Sequence, residues 1–447
     1  MNAPQQKLAK IAILHHTGGG NLGDDAIMDV VIDNIRHRWP DAEIAAFSMN
    51  PEDTSRRHGI RAWPIRRHTW DIGYNSTPKE AAQNKKRSWF GTTTNPAIRI
   101  PRALLQEAAF LLRSRRILRS FDTLIVSGGG QLTERSGPWS FPYAIFVWVL
   151  MARAARVRRV FLNIGAGPLR HPLSKFFVRR SLYLGNYISF RDVQSQALAT
   201  AIGFTGKSRV CPDNVYSLDI ALPKALADTR EGPVVGVAPM PWPFCDPREH
   251  AGENLQALYD DYLVRFGAFA ASVVRYSCSI ELFGSDTGAD PASIEDLRNV
   301  LRTRHGIDTP PYQPVDSVQA LLTRMAAMDY VVTCRFHGVV LAHILNKPVL
   351  AVSHHPKVAD LMSALGLSQY CFDIQTFDPN RLADAFASLV DHTQEVKASM
   401  AASLADYRAR AAQQFDQLFP PVRKEVKSAQ MASTPGPAAA MASRGGL

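Results

Sequence analysis

Short apolar runs alternate with longer amphipathic stretches along most of the chain, the pattern of βαβ units around a mostly parallel sheet. In the first half, Lys10–Leu14, Glu43–Phe47, Thr123–Ser127, Arg159–Ile164 and Ile188–Phe190 read as strands, most of them followed by a Gly-, Asn- or Asp-containing loop and a helical pattern. A second series begins near Pro233, with strands expected at Val234–Ala238, Ser279–Phe283, Tyr330–Thr333 and Pro348–Val352. Helices are expected at 253–271, 292–303, 316–327, 338–345 and 356–365, and a last helical stretch at 379–418. The two series predict two α/β domains, 1–225 and 233–420, joined by a linker at Ala221–Gly232. Residues of about 50–100 are rich in Pro, Trp, Asn and Thr and read as an irregular insertion or active-site excursion. Residues 421–447 are rich in Ala, Ser, Pro and Gly and read as a disordered low-complexity tail. Two doubly wound domains imply a cleft between them, with ligands beyond the carboxyl ends of the strands.

Composition narrows the class. The 447 residues are 46% hydrophobic and 20% charged, as in an ordinary globular protein. The polar start MNAPQQKLAK does not resemble a signal peptide, and the longest apolar stretch, Phe141–Ala152, is too short to span a bilayer and reads as a buried helix. The five cysteines (Cys211, Cys245, Cys278, Cys334 and Cys371) are scattered without CxxC spacing, which points to reduced thiols and a cytoplasmic location. The formal charge is +11 and uneven: residues 1–225 hold 32 Lys+Arg against 16 Asp+Glu. This basic half would draw anionic partners: phosphorylated substrates, a lipid-diphosphate carrier or an anionic membrane surface. A merely arginine-rich surface is the plain alternative. Nucleic acid is not expected, since the arginines lack interleaved aromatics and no binding motif is present.

Five segments carry candidate chemistry. In HHTGGGNLGDDAIMDVVI (15–32) a strand leads into Gly18, Gly19, Gly20, Asn21 and Gly23, after which Asp24 or Asp25 would cap a helix. Such a loop brings backbone N–H groups close to an anion. It is not GxGxxG, so no dinucleotide is expected; a plain strand–helix turn is the alternative. SGGGQL (127–132), with Gly129 and Gly130, and NIGAGPL (163–169) repeat the arrangement after two further strands. In ISFRDVQS (188–195) Arg191 follows a short strand, either aimed into the cleft as a carboxylate- or phosphate-binding fork or paired with Asp192 on the surface. In TCRFHGVVLAHILNKPVLAVSHHPKVADLMSALGL (333–367) Arg335 and His337 stand where a strand gives way to a helix, and His354, His355 and Lys357 extend the polar edge. No HExxH, nor His-x-His with a carboxylate, is present, so no metal is expected.

These segments, in this order over residues of about 10–367, resemble the polysaccharide pyruvyl transferase family. The resemblance implies a GT-B-like pair of Rossmann-like domains, phosphoenolpyruvate (PEP) as donor and co-substrate with no cofactor, and a sugar acceptor, free or lipid-linked. It also implies that Arg191 and His337 engage PEP. On this footing Arg335, Lys357, Gly19, Gly20, Gly129, Gly130 and Asn21 would bind PEP or acceptor, and Asp24 or Asp25 would serve as base. Cys334 stands where serine is common, and residues 50–100 carry no family pattern. Two other readings fit the same architecture. One is a nucleotide-sugar glycosyltransferase, with Asp360 on a ribose and Lys357 on a diphosphate. The other is an accessory protein of polysaccharide assembly without turnover.

Overall fold

The computed structural model describes residues 9–67, 96–134, 137–219, 232–245 and 249–420. The first sheet holds β1 Lys10–Leu14, β2 Glu43–Ser48, β3 Arg61–Pro64, β4 Thr123–Ser127, β5 Arg158–Ile164, β6 Tyr187–Phe190 and β7 Arg209–Val210, in the order β3-β2-β1-β4-β5-β6-β7. The second holds β8 Val234–Ala238, β9 Ser279–Leu282, β10 Tyr330–Thr333, β11 Val349–Ser353 and β12 Cys371–Asp373, in the order β12-β11-β10-β8-β9. Every pairing is parallel. Around the first sheet run α1 (Leu22–Arg38), α2 (Pro51–His58), α3 (Pro96–Leu118), α4 (Phe141–Ala154), α5 (Pro172–Leu184) and α6 (Val193–Ala201). Around the second run α7 (Leu255–Val273), α8 (Asp290–His305), α9 (Val318–Ala326), α10 (Phe336–Ile344), α11 (Pro356–Ala364) and α12 (Pro379–Asp391), followed by α13 (Thr393–Leu418).

The central strands β1, β4, β5, β8 and β10 bury both faces, which is why they read as continuous apolar runs. In the first sheet Ala12, Leu14, Leu124 and Val126 pack with Ile145, Trp148 and Val149 of α4 and Val178 and Leu182 of α5. Ile11, Ile13, Ile125 and Val160 face the other way, onto Met28, Val31 and Ile35 of α1. Strand order reverses between β1 and β4 in one sheet and between β8 and β10 in the other, so the loops after these strands diverge and leave a crevice in each.

Several elements differ from the sequence reading. The cap of α1 is Asn21, whose Oδ1 accepts from Gly23 N at 2.9 Å; Asp24 and Asp25 occupy the first turn instead, where the helix dipole favours negative charge. Residues 51–64, read as the start of an irregular insertion, form α2 and β3; Asn50 caps α2, Pro51 opens it and Gly59 ends it at φ 62°. Residues 68–95, most of the expected linker and the expected tail lie outside the described residues. The stretch 379–418 is two helices, and the second does not stay with the second sheet. Val396, Met400 and Leu404 of α13 pack there, but Phe415 and Leu418, with Phe419 beyond, join the core under β1 and α1. Gln414 Nε2 reaches Asn163 Oδ1 at 2.7 Å, so one helix clamps both sheets.

His58, at the end of α2, is buried with Nδ1 2.6 Å from Asp29 Oδ1 and Nε2 3.6 Å from Asp25 Oδ1. Burial disfavours the imidazolium, but the hydrogen bonds and charges of the two carboxylates outweigh it and raise its pKa to about 9. Burial pushes the Asp25 carboxyl up, so the shorter contact, to the more exposed Asp29, carries the pair. Stability from a raised histidine is fully present below the unfolded value near 6.5 and is lost as pH rises through about 9. Between about pH 6 and about pH 10 the wild-type chain should lose about 1–2 kcal/mol more unfolding free energy than His58→Gln, measured by urea titration. Equal losses would remove His58 from the balance.

Candidate active site

Both crevices open into one cavity of about 780 Å³. The first sheet lines it with His16, Gly19, Asn21, Asp24, Gly130 and Arg191, and the second with Trp242, Asp286, Arg335, His337, His354 and Lys357. The walls are tied together at its base. Leu22 N donates to Ser285 O at 2.9 Å and Thr287 N to Gly20 O at 2.8 Å.

Arg191 follows β6 directly and is buried. Its guanidinium lies over the Phe336 ring, 4.3 Å from the centroid, with Nε 3.3 Å from Asp192 and Nη1 3.5 Å from Asp213 Oδ2. His337, in the first turn of α10, approaches the same Asp213 oxygen with Nε2 at 4.0 Å. Arginine and histidine from opposite walls therefore converge on one carboxylate. Neither His337 Nε2 nor Asp213 Oδ2 has a hydrogen bond although both atoms are buried. Buried polar atoms of folded proteins are nearly always paired, which sets these two apart. Burial lowers the His337 pKa despite the opposing pull of Asp213 and Asp24, so the ring is neutral near pH 7.

Arg335 is the N-cap residue of α10. Its Nε is 3.0 Å from Asp290 Oδ1, its Nη2 also bonds Asp290, and its Nη1 lies 3.5 Å from Asp286. Burial pushes the Asp290 carboxyl up to about 6, against the pull of Arg335. Arg335 was expected to bind PEP or acceptor; it borders the cavity with its charge already balanced by two acids. Lys357 lies in the first turn of α11, its backbone N donating to His355 Nδ1 at 3.2 Å. His354 Nδ1 meets the Cys334 carbonyl at 3.1 Å.

The two aspartates after the glycine loop part company. Asp24 lines the cavity with Oδ2 3.0 Å from His16 Nε2. Burial alone would raise its pKa, but the charge and hydrogen bond of His16 hold it well below the usual carboxylate range. Asp25 turns away, to Arg57 at 3.7 Å and His58, and does not border the cavity. His15, His16 and Asp24 each place one donor atom within 4.8 Å of the others, a grouping with the chemistry to hold a metal that the motif search did not find.

The glycine loops were expected to admit the ligand. Mostly they admit the site's own side chains. A Cβ on Gly23 would lie 2.0 Å from His337 Nδ1, one on Gly165 2.6 Å from Arg191 Nε, and one on Gly129 2.5 Å from His16 Cε1. Gly20 lies against Thr287 of the opposite wall. Gly19 and Gly130 alone of the four expected ligand glycines border the cavity, with no heavy atom within 4 Å of an added Cβ.

The family model for polysaccharide pyruvyl transferase matches residues 21–356, which contain Asn21, Asp24, Arg191, Asp213, Arg335 and His337. The chain belongs to the polysaccharide pyruvyl transferase family. No curated protein matches it by sequence. Among solved structures, it is similar to Anabaena HepE in complex with UDP and glucose (15% identity, TM-score 0.54, covering 92% of this chain and 99% of that one). It is also similar to a Listeria monocytogenes protein described as a UDP-N-acetylglucosamine 2-epimerase (12%, 0.56, 91% and 94%) and to the spinosyn rhamnosyltransferase SpnG (13%, 0.51, 92% and 99%). At these identities the likeness is one of fold: two parallel-sheet α/β domains in the GT-B arrangement.

For this pyruvyl transferase family member, the sequence reading missed His16, Asp213, Asp286 and Asp290. Each had a local signal. His16 follows an apolar strand by two residues, Asp213 sits in a Cys-Pro-Asp-Asn step after β7, and Asp286 and Asp290 lie in the GSDTGADP turn after β9. Asp360, the acid that a ribose-binding reading would use, does not border the cavity.

Proposed function

We propose that the protein transfers the enolpyruvyl unit of PEP onto a sugar of a surface polysaccharide or of its lipid-linked precursor, forming a pyruvate ketal. The observation that carries this reading is the convergence of Arg191 and His337 on Asp213 beside the cavity, with His337 Nε2 buried and without a hydrogen bond. A compact anion with carboxylate and phosphate groups suits the cations of the two walls: the Arg191 fork, stacked on Phe336, takes one group, and Lys357 takes the other.

Transfer begins with protonation of PEP C3, which leaves an oxocarbenium-like centre at C2. A sugar hydroxyl attacks C2 and gives up its proton, the C2–O bond to phosphate breaks, and a neighbouring hydroxyl closes the ring with loss of a second proton. His337 is neutral in the free protein. A bound phosphate would raise its pKa and charge it, so that His337 becomes the acid only when PEP is present. Asp24, kept anionic by His16, is the carboxylate in reach of the acceptor; Asp25 is not. PEP is the co-substrate, and this chemistry requires no cofactor. The five free cysteines suit the reducing cytoplasm, where PEP is available.

Thermal shift tests the donor. PEP at about 100 times its Kd should stabilise the native state by about 2.7 kcal/mol, seen as a rise in Tm of several degrees, while UDP and GDP leave Tm unchanged. A rise with UDP or GDP alone would assign the cavity to a nucleotide sugar. No rise with any of them would mark a scaffold of polysaccharide assembly.

A further inference from the structure

Helices α3, α4 and α5 form one layer over the first sheet, with α4 in contact with both neighbours and all three rooted in the same core. This layer carries eight of the eleven most exposed large apolar side chains among the described residues. Leu104, Leu105 and Leu112 project from α3, with Leu105 72% exposed; Trp139 stands 58% exposed just before α4; Leu150 of α4 and Leu173, Phe176 and Tyr183 of α5 are exposed as well. Scattered exposed leucines need no explanation, but eight in one layer do.

The same layer is almost free of acid. The α3 sequence has five arginines and one glutamate, α4 one arginine and no acid, and α5 one lysine, two arginines and no acid. Arg180 lies over the Phe176 ring at 5.6 Å, so its stem follows apolar surface while its charge stays outward. No helix among the described residues is long and apolar enough to cross a membrane.

We infer that this layer docks the protein onto the surface of a bilayer rich in anionic phospholipid. Apolar rings and leucines enter the headgroup boundary while the basic residues meet the lipid phosphates. The charge decides against a second copy of this chain as occupant: a symmetric dimer through the patch would press two cationic faces together. Position supports a membrane. Phe141, at the start of α4, and Pro168, four residues before α5, line the cavity, so the layer borders the site. A glycan carried on a lipid in that bilayer would meet the site without leaving the surface. The docking stands whether or not PEP is the donor.

Co-sedimentation of the full chain with vesicles tests it. Binding to phosphatidylglycerol–phosphatidylcholine vesicles should be at least about tenfold tighter than to phosphatidylcholine alone, and should weaken as salt rises. Leu105→Glu/Phe176→Glu should weaken it at least about tenfold with an unchanged Tm, whereas Val274→Glu/Tyr276→Glu, exposed apolar positions in the other half, should bind as wild type. Equal binding to both vesicle types, or undiminished binding by Leu105→Glu/Phe176→Glu, overturns the inference. So does a wild-type dimer in light scattering that this double variant converts to monomer, which would make the patch a self-association surface.

Discussion

Replacing Arg191 with alanine should lower PEP-dependent pyruvyl transfer by about 10²–10³-fold, the usual effect of deleting one positioned donor to a charged reacting group. The guanidinium is held by Asp192, Asp213 and the Phe336 ring, and Gly165 leaves the space it occupies. Arg191→Lys keeps the charge but loses the planar fork and its stacking, so it should fall between alanine and wild type. Alanine leaves the buried Asp213 without its arginine, a cost of about 1–3 kcal/mol that lowers Tm without unfolding the chain. The assay is mass spectrometry of the surface glycan from cells in which each variant replaces the native copy, beside Tm and circular dichroism of the purified variant. A folded Arg191→Ala protein that restores pyruvylation at the wild-type level would remove Arg191 from the site.

The physical reason that some of this was legible lies in burial. β1, β4, β5, β8 and β10 are covered on both faces and show unbroken apolar runs. The edge elements have no such record. β3 is half exposed, β7 has two residues and β12 three, too few for any periodicity to register. Helix α2 carried its own signals in Asn50, Pro51 and Gly59, but the surrounding Pro- and Trp-rich composition suggested irregular chain. Arg191 stood out because it is polar directly after an apolar strand, and His337 because it stands with Arg335 where a strand gives way to a helix. Asp213 and Asp286 did not, because a carboxylate in a loop gains its meaning from what folds against it. Asp213 matters through Arg191 and His337, and Asp286 through Arg335 and the bridge to Asn21. The glycine loops were found for a sound reason, close approach. What approaches is another side chain of the protein, and no local pattern distinguishes that from a ligand.

Gly23 makes the point testable. It is the second residue of α1, where alanine would ordinarily stabilise a helix by about 1 kcal/mol. Here the added methyl would sit 2.0 Å from Nδ1, 2.2 Å from Cγ and 2.5 Å from Cβ of His337. The ring cannot yield freely: it is buried and set edge-on to Phe336, which in turn supports Arg191. Nor can α1 retreat, because Leu22, Ala26 and Ile27 belong to the core of the second sheet. Gly23→Ala should therefore destabilise by about 1–3 kcal/mol, the cost of overpacking, and lower transfer about 10²–10⁴-fold, the loss expected of His337→Ala if that ring is the proposed acid. The decisive measurement is the double variant. Gly23→Ala/His337→Ala removes the ring that the methyl strikes, so its Tm should rise above that of Gly23→Ala alone, while its activity falls no further than that of either single variant. A Gly23→Ala protein as stable and as active as wild type would mean that α1 and α10 do not meet through this contact, and that the juxtaposition of His337 and Arg191 is not the working arrangement.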